Sequence, residues 1–150
     1  MTYSIVARDP ETGQYGVAVA SRFFAVGAVV PHIRGGKCAV ATQAFVNPLL
    51  GLEGAARMAQ GETAQVVLKD MINRDDGRLQ RQIHMIDSAG SSAAHTGADC
   101  IDWAGHLIGE GVSVAGNMLA GAQVIAETLK AYQAHVNAPF AKRLLTAMEV

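Results

Sequence analysis

Residues 1–22 read MTYSIVARDPETGQYGVAVASR, and this stretch decides the fold. Two apolar runs flank a turn over residues 9–13, where proline presets one backbone dihedral and glycine accepts a positive φ. In the first run, residues 2, 4 and 6 fall on one face and residues 3, 5 and 7 on the other, as in a half-buried strand. The sequence therefore predicts a β-hairpin that begins at the chain terminus, with residues 15–20 as its second strand.

The second residue gives this terminus a chemistry of its own. Thr2 is small, so we expect removal of the initiator methionine, which would leave a free α-amine beside the threonine hydroxyl. A threonine hydroxyl is a weak nucleophile until a base takes its proton, and an α-amine, with a reference pKa of about 7.7–8.0, is a suitable base near neutral pH. We therefore predict that nucleophile and base share this one residue.

Length and composition fit a single domain that acts on a small molecule. Half of the 150 residues are hydrophobic, and 12 basic residues stand against 13 acidic ones. This balance gives no electrostatic attraction for nucleic acid or an anionic membrane. The N-terminus has the pattern of a strand rather than that of a signal peptide. Cys38 and Cys100 are far apart in the sequence and outside any Cys-x-x-Cys pattern, which indicates reduced thiols. We expect a cytoplasmic protein that needs no cofactor.

The rest of the chain predicts strands, two helices, strands and two further helices. The expected strands after the first hairpin lie within residues 23–33, 38–43, 81–87, 92–96, 106–108 and 112–116. The first helical pair is expected at residues 51–60 and 63–73, with Thr63 as an N-cap. An apolar stripe from Val124 to Tyr132 predicts the third helix, and Asn137 is expected to cap the last. This order is typical of helices packed outside stacked antiparallel sheets.

Six colinear blocks carry a resemblance to a known family. They are TYSIVARD (2–9), GVAVASR (16–22), ATQAFVNP (41–48), HTG (95–97), WAGH (103–106) and GNML (116–119). Through them the chain resembles the DUF1028 family of N-terminal-nucleophile (Ntn) hydrolase-like proteins. The resemblance implies an α+β fold, a four-layer αββα sandwich of stacked antiparallel sheets. It also implies a reaction class, hydrolysis, without naming a substrate.

One departure from the family pattern concerns the C-terminus. Family members usually continue with a glycine-rich stretch and further strands, whereas this sequence ends at Val150 after an amphipathic helix. We therefore expect a single domain over residues 1–150 that lacks the usual C-terminal strands. A second chain or dimerisation would then complete the fold, and a homo-oligomer is the expected assembly.

The predicted catalytic residues are Thr2, Asn117 and Gln43. The Thr2 hydroxyl would attack the carbonyl of a small amide, or of a related C–N bond, and form an acyl-enzyme. Asn117 and Gln43 lie where apolar strands end, so their side-chain amides could donate to the developing oxyanion. The predicted function is an amidohydrolase.

Five further residues are predicted to bind substrate: Ser21, Arg22, Asn47, His95 and Asp102. A hairpin returns Ser21 and Arg22 toward the terminus, and the planar fork of Arg22 suits a substrate carboxylate. The resemblance implies that a polar or charged residue at this strand end adjusts the ammonium or binds substrate. Asn47 lies in a proline-containing loop, and the other two lie in a compact segment over residues 95–106.

Two alternatives stay open. The segment 95–106 holds imidazole, carboxylate and thiolate groups that suit zinc, although their spacing is not a standard zinc signature. A metal-assisted hydrolase would hold its metal at His95, Asp99, Cys100, Asp102 or His106. The second alternative is a non-catalytic scaffold that binds a ligand or forms oligomers. The remaining histidines, expected to be structural or solvent-facing, are His32, His84 and His135.

Overall fold

The structure is a computed structural model that describes residues 1–149, and it shows a mixed α+β fold of two four-stranded antiparallel sheets and four α-helices. The strands are β1 (Thr2–Arg8), β2 (Tyr15–Ser21), β3 (Pro31–Arg34), β4 (Cys38–Ala44), β5 (Arg81–Ile86), β6 (Ser92–Thr96), β7 (Trp103–Gly109) and β8 (Val112–Leu119). The helices are α1 (Pro48–Ala59), α2 (Ala64–Arg74), α3 (Gln123–Ala134) and α4 (Phe140–Ala147). The predicted α+β class and order of elements are confirmed. Over residues 1–149, every helix is too short or too polar to cross a membrane.

The first sheet is organised around β1. Its strand order is β2-β1-β8-β7, and that of the second sheet is β3-β4-β5-β6. β1 pairs antiparallel with both neighbours, so Thr2 lies opposite Ser21 on one side and Asn117 on the other. The hairpin predicted from residues 1–22 is confirmed. The prediction of a half-buried strand is wrong, because residues 4–7 are fully buried: β1 has a strand on each edge and a layer on each face.

Helices cover the outer face of each sheet through apolar clusters. α1 and α2 pack on the second sheet in a cluster that includes Met58, Met71 and Ile83. α3 and α4 pack on the first sheet in a cluster that includes Ile5 and Tyr132. With the two sheets facing each other, the layers run helix, sheet, sheet, helix.

The interface between the two sheets has two halves of different chemistry. The apolar half contains Val6, Val30, Ala39, Ala41 and Ile86. The polar half contains Ser4, Gln43, Gln82, His84, Ser113 and Asn117, all of them buried. Buried polar groups require hydrogen-bond partners, so the polar half must be an ordered network.

Helix starts correct the sequence analysis in two places. α1 begins three residues before the predicted start, because Asn47 caps it and proline fits the first helical turn. Thr63 caps α2 as predicted, with its side chain accepting from the Val66 N–H. Asn137 does not cap the last helix, which begins at Phe140 directly after Pro139 and has no side-chain cap.

Two strand predictions also change. Within residues 23–33 a 3-10 helix at Val26–Ala28 precedes β3. The strand expected at residues 106–108 begins at Trp103, because its pairing with β8 continues past an irregularity between Trp103 and Gly105. Half of the segment 95–106 is therefore strand, and the other half is a loop at residues 97–102.

Candidate active site

Thr2 lies where three strand ends meet. β1 begins with Thr2, β2 ends with Ser21, and Asn117 lies near the end of β8, all in register. The Thr2 Oγ1 atom is 2.9 Å from Ser21 Oγ. A cavity of about 360 Å³ opens here, with Arg22 and Gln43 also in its lining. We call it the Thr2 cavity; much of its remaining wall is valine.

The Ser21 hydroxyl links Thr2 to the chain terminus. It donates its proton to Met1 O at 3.0 Å and accepts the Phe23 N–H at 3.0 Å. Since that proton is committed, the Thr2 hydroxyl must donate to Ser21 Oγ. Met1 is 46% exposed, so this residue is open to removal. Without Met1 O as acceptor, the Ser21 proton would be free to turn toward Thr2.

Arg22 supplies the charge of the Thr2 cavity. Its side chain is exposed, and it is the sole ionisable side chain in the lining. Within residues 1–149 it forms no ion pair. Its guanidinium is thus available to an anionic group of a ligand.

A second cavity adjoins the first. It measures about 350 Å³ and shares Ala44, Asn117 and Met118 with the Thr2 cavity. Ala44 and Met118 have φ values of 68° and 54°, a backbone region that few residues other than glycine adopt. Such conformations often occur at functional sites, where surrounding structure holds them. Asn117 lies at the junction, within reach of both cavities.

Side-chain amides continue from Asn117 into the polar half of the sheet interface. The Asn117 Nδ2 group donates to Gln82 Oε1 at 2.9 Å. The Gln43 Nε2 group donates to the same oxygen at 3.1 Å and to Ala115 O at 3.2 Å. The Gln43 Oε1 atom accepts the Ser4 hydroxyl at 2.6 Å. Both N–H groups of Gln43 are therefore committed.

A buried histidine completes this network. His84 Nε2 is 2.8 Å from Ser4 Oγ, and His84 Nδ1 is 3.0 Å from Ser113 Oγ. Burial, with a smaller effect of His106, lowers the pKa of His84 to about 3. The ring is thus neutral near pH 7. Of the two roles expected for His84, structural or solvent-facing, the solvent-facing one is wrong.

Gln82 and His84 are the residues that sequence reasoning missed. They alternate with Ile83 and Met85 along β5, and all four side chains are buried. The alternation was visible in the sequence, but a polar face of a strand usually faces water. Here the polar face lies against the other sheet.

Three predicted substrate-binding residues line neither cavity. Asn47 Oδ1 accepts the Leu49 N–H at 3.1 Å as the cap of α1. His95 Nε2 is 2.8 Å from Arg78 O, and His95 borders a separate cavity beside α2. Asp102 lies on an exposed bend. The structure therefore brings together Thr2, Ser21, Arg22, Gln43 and Asn117.

The histidines, cysteine and carboxylates of segment 95–106 do not converge. Across residues 1–149, no three His, Cys, Asp or Glu side chains form a group suited to a metal ion. Burial raises the pKa of the Cys100 thiol, whose Sγ contacts Arg81 O. His106 Nδ1 is 2.9 Å from Thr96 Oγ1. The candidate metal ligands of this segment therefore contact separate partners.

A family model and a solved structure each match nearly the whole chain. A family model described as a family of unknown function, DUF1028, matches residues 2–150. A crystal structure of a DUF1028 protein from Silicibacter pomeroyi matches with a TM-score of 0.94 at 31% identity. The match covers 99% of this chain and 66% of that protein, so this chain spans about two thirds of its length. Among curated proteins, none matches this chain.

Proposed function

We propose, for a chain that belongs to the DUF1028 family of unknown function, that it is an Ntn-type amidohydrolase whose nucleophile is Thr2 after removal of Met1. The observation that carries this proposal is the Thr2 hydroxyl, 2.9 Å from Ser21 Oγ in the lining of a cavity of about 360 Å³. The helix, sheet, sheet, helix layering supports the Ntn-like assignment of the fold. The substrate is a small amide or a related C–N compound.

The reaction needs only groups of the chain and water. The α-amine takes the hydroxyl proton as Thr2 Oγ1 bonds to the carbonyl carbon, and the resulting oxyanion accepts an N–H from Asn117. The ammonium then gives its proton to the leaving nitrogen as the C–N bond breaks. Water attacks the Thr2 ester, the amine takes its proton, and that proton returns to Oγ1 as the acid leaves.

The hydrogen bonds favour Asn117 over Gln43 as the oxyanion donor. Gln43 has both N–H groups engaged, with Gln82 Oε1 and Ala115 O. Asn117 donates one N–H to Gln82, its second N–H has no partner within residues 1–149, and the residue lines the Thr2 cavity. We assign Gln43 the role of holding the base of the cavity in place.

The lining of the Thr2 cavity suggests the kind of substrate. Val26, Val29 and Val30 offer an apolar wall, and Arg22 offers a cation that forms no ion pair within residues 1–149. An amide whose acyl part is short, apolar and ends in a carboxylate would match both. Replacing Arg22 by Met should weaken binding of such a substrate and leave reaction with neutral reagents unchanged.

Covalent labelling tests the nucleophile. Intact-mass spectrometry before and after treatment with a β-lactone should show loss of Met1 and one adduct, mapped by peptide to Thr2. Thr2→Ala should form no adduct and remain folded, whereas Thr2→Ser, which keeps a hydroxyl, should still react. Retained Met1, or an adduct that persists in Thr2→Ala, would contradict the mechanism.

The assembly and location of the protein stay predictions. We propose that the protein forms a homo-oligomer, or associates with a second chain, in the cytoplasm. Sedimentation of the purified protein would show whether its mass exceeds that of one 150-residue chain. A monodisperse, folded monomer would contradict both forms of assembly.

A further inference from the structure

The orientation of the Gln82 side chain is set by backbone atoms. Its Nε2 atom lies 2.7 Å from Gly116 O and 3.1 Å from Gly105 O. A backbone carbonyl can only accept a hydrogen bond, so the atom between the two must be the nitrogen. The Gln82 Oε1 atom therefore points the other way.

That oxygen in turn sets the orientation of Asn117. It lies 2.9 Å from the Asn117 side-chain amide and 3.1 Å from the Gln43 Nε2 group. The Gln82 amide oxygen can only accept hydrogen bonds, so the Asn117 atom that faces it must be the nitrogen, Nδ2. Turning Asn117 over would bring two carbonyl oxygens together inside the protein, which is unfavourable at low dielectric. The second N–H of Asn117 has no partner within residues 1–149, and Asn117 lines both cavities.

The remaining protons of the network follow from the same rule. The Gln43 Oε1 atom accepts only, so the Ser4 hydroxyl donates to it. Ser4 Oγ must then accept the N–H of His84 Nε2. Because His84 is neutral, its Nδ1 atom carries the lone pair and accepts the Ser113 hydroxyl. No amide or hydroxyl along this path is free to turn over without losing a buried hydrogen bond.

We propose that Gln82 is a positioning residue, whose Oε1, held by the carbonyls of Gly105 and Gly116, keeps the Asn117 amide with an N–H directed at the Thr2 cavity. This inference rests on the proposed function, in which Asn117 donates to the oxyanion. A flipped Asn117 would direct its own oxygen at the developing negative charge and oppose the reaction. Gln82 acts through Asn117 and does not touch the substrate.

A double-mutant cycle tests this coupling. The rate of Thr2 acylation by a β-lactone is measured for the wild-type protein, Gln82→Met, Asn117→Ala and the double variant. Asn117→Ala should slow acylation about 100- to 1,000-fold, as loss of an oxyanion donor does. Gln82→Met should slow it by about tenfold or more, and the double variant should be no slower than Asn117→Ala. Multiplying effects, or a wild-type rate for Gln82→Met, would overturn the proposal.

Two further variants separate positioning from a loss of structure. Ser113→Ala removes a buried hydroxyl that contacts His84 but neither Gln82 nor Asn117, so it should lower the unfolding midpoint and leave the acylation rate unchanged. Gln82→Glu, in its acid form, places an acceptor where the amide has its oxygen and one O–H donor where the amide has two N–H groups. It should restore most of the rate; where Gln82→Met fails to fold, a Gln82→Glu rate as low as that of Asn117→Ala would overturn the proposal.

Side-chain hydrogen exchange keeps this inference separate from the proposed function. If Thr2 of the wild-type protein never reacts, the hydrolase proposal fails, and NMR still measures exchange of the Asn117 side-chain N–H protons. Gln82→Met should accelerate that exchange about tenfold or more, because the hydrogen bond to Gln82 Oε1 is lost. Ser113→Ala should not. Unchanged exchange in Gln82→Met would overturn the positioning role whatever the state of Thr2.

Discussion

The two helix–sheet interfaces and the interface between the sheets are built from different chemistry. Each outer interface is an apolar cluster, whereas half of the inner interface is a hydrogen-bonded network of amides, hydroxyls and an imidazole. Apolar contacts are non-directional and tolerate swaps of similar volume. Buried polar groups need partners in defined directions. The outer layers therefore hold the fold together, and the inner layer fixes orientations beside the Thr2 cavity.

One strand shows both kinds of contact in adjacent residues. On β1, Ile5 faces α3 and α4 in the outer cluster, and Ser4 faces Gln43 and His84 in the inner network. Both side chains are fully buried. Substitutions at neighbouring positions can therefore separate the two contributions without changing the strand.

The largest effect is expected at the outer position. Ile5→Ala should lower the free energy of unfolding by about 2–5 kcal/mol, through lost burial and the cavity that remains. Urea unfolding measures it. Leu107→Ala, at a position 38% exposed on β7, is the control and should cost about 1 kcal/mol or less. A cost for Ile5→Ala as small as that of the control would break the comparison.

The inner position should have a smaller effect with a different cause. Ser4→Ala removes little volume but leaves Gln43 Oε1 and the His84 Nε2 proton without partners, at a cost of about 1–3 kcal/mol in unfolding free energy. The matched control is Ser92→Ala, because Ser92 Oγ is buried without a hydrogen-bond partner across residues 1–149. That change should be neutral or stabilising. Equal losses in the two variants would mean that the inner hydrogen bonds contribute nothing.

Local rules predicted the outer layers better than the inner one. The hairpin of residues 1–22, the Thr63 cap and the order of elements all followed from turn chemistry and periodicity over a few residues. The buried positions of Gln82 and His84 did not. Alternation along a strand shows that its faces differ, but only the approach of the second sheet decides whether the polar face meets water.

The candidate site divides in the same way. Thr2, Ser21 and Arg22 could be grouped from sequence because a short hairpin brings them together. Asn117 reaches Thr2 only through the pairing of β1 with β8, which joins two residues 115 positions apart in the sequence. The expectation that Asn117 belongs to the site came from the family blocks. Gln82 acts through contacts between sheets, which no local pattern encodes.

The inner network should also make stability depend on pH. Burial lowers the pKa of His84 from 6.5 to about 3. Between pH 6.5 and about pH 3, the unfolded chain therefore binds a proton at this residue that the folded chain does not bind. Stability should therefore fall as the pH drops through this window, by up to about 1.4 kcal/mol per pH unit from this residue. Unfolding measured between about pH 7 and pH 4 gives the slope.

Substitution assigns that slope to one residue. Burial lowers the pKa of His32 and His106 as well, so only the difference between variants is informative. His84→Gln can keep an N–H donor toward Ser4 and cannot titrate, and it should show a shallower slope. An unchanged slope in His84→Gln would mean that the ring is not held neutral by burial.

The smallest expected effect defines where the functional layer ends. Asn47 was predicted to bind substrate, but its side chain caps α1 and lines neither cavity. Asn47→Ala should lower the unfolding free energy by about 0.5–2 kcal/mol, as loss of an N-cap does, and leave the concentration dependence of Thr2 acylation unchanged. Asn47→Asp keeps the acceptor for the Leu49 N–H and should recover the stability. Asn47→Ala could instead weaken binding of the reagent, with no recovery in Asn47→Asp. Substrate contact would then extend beyond the inner network to the start of α1, and the division between structural and functional layers would not hold there.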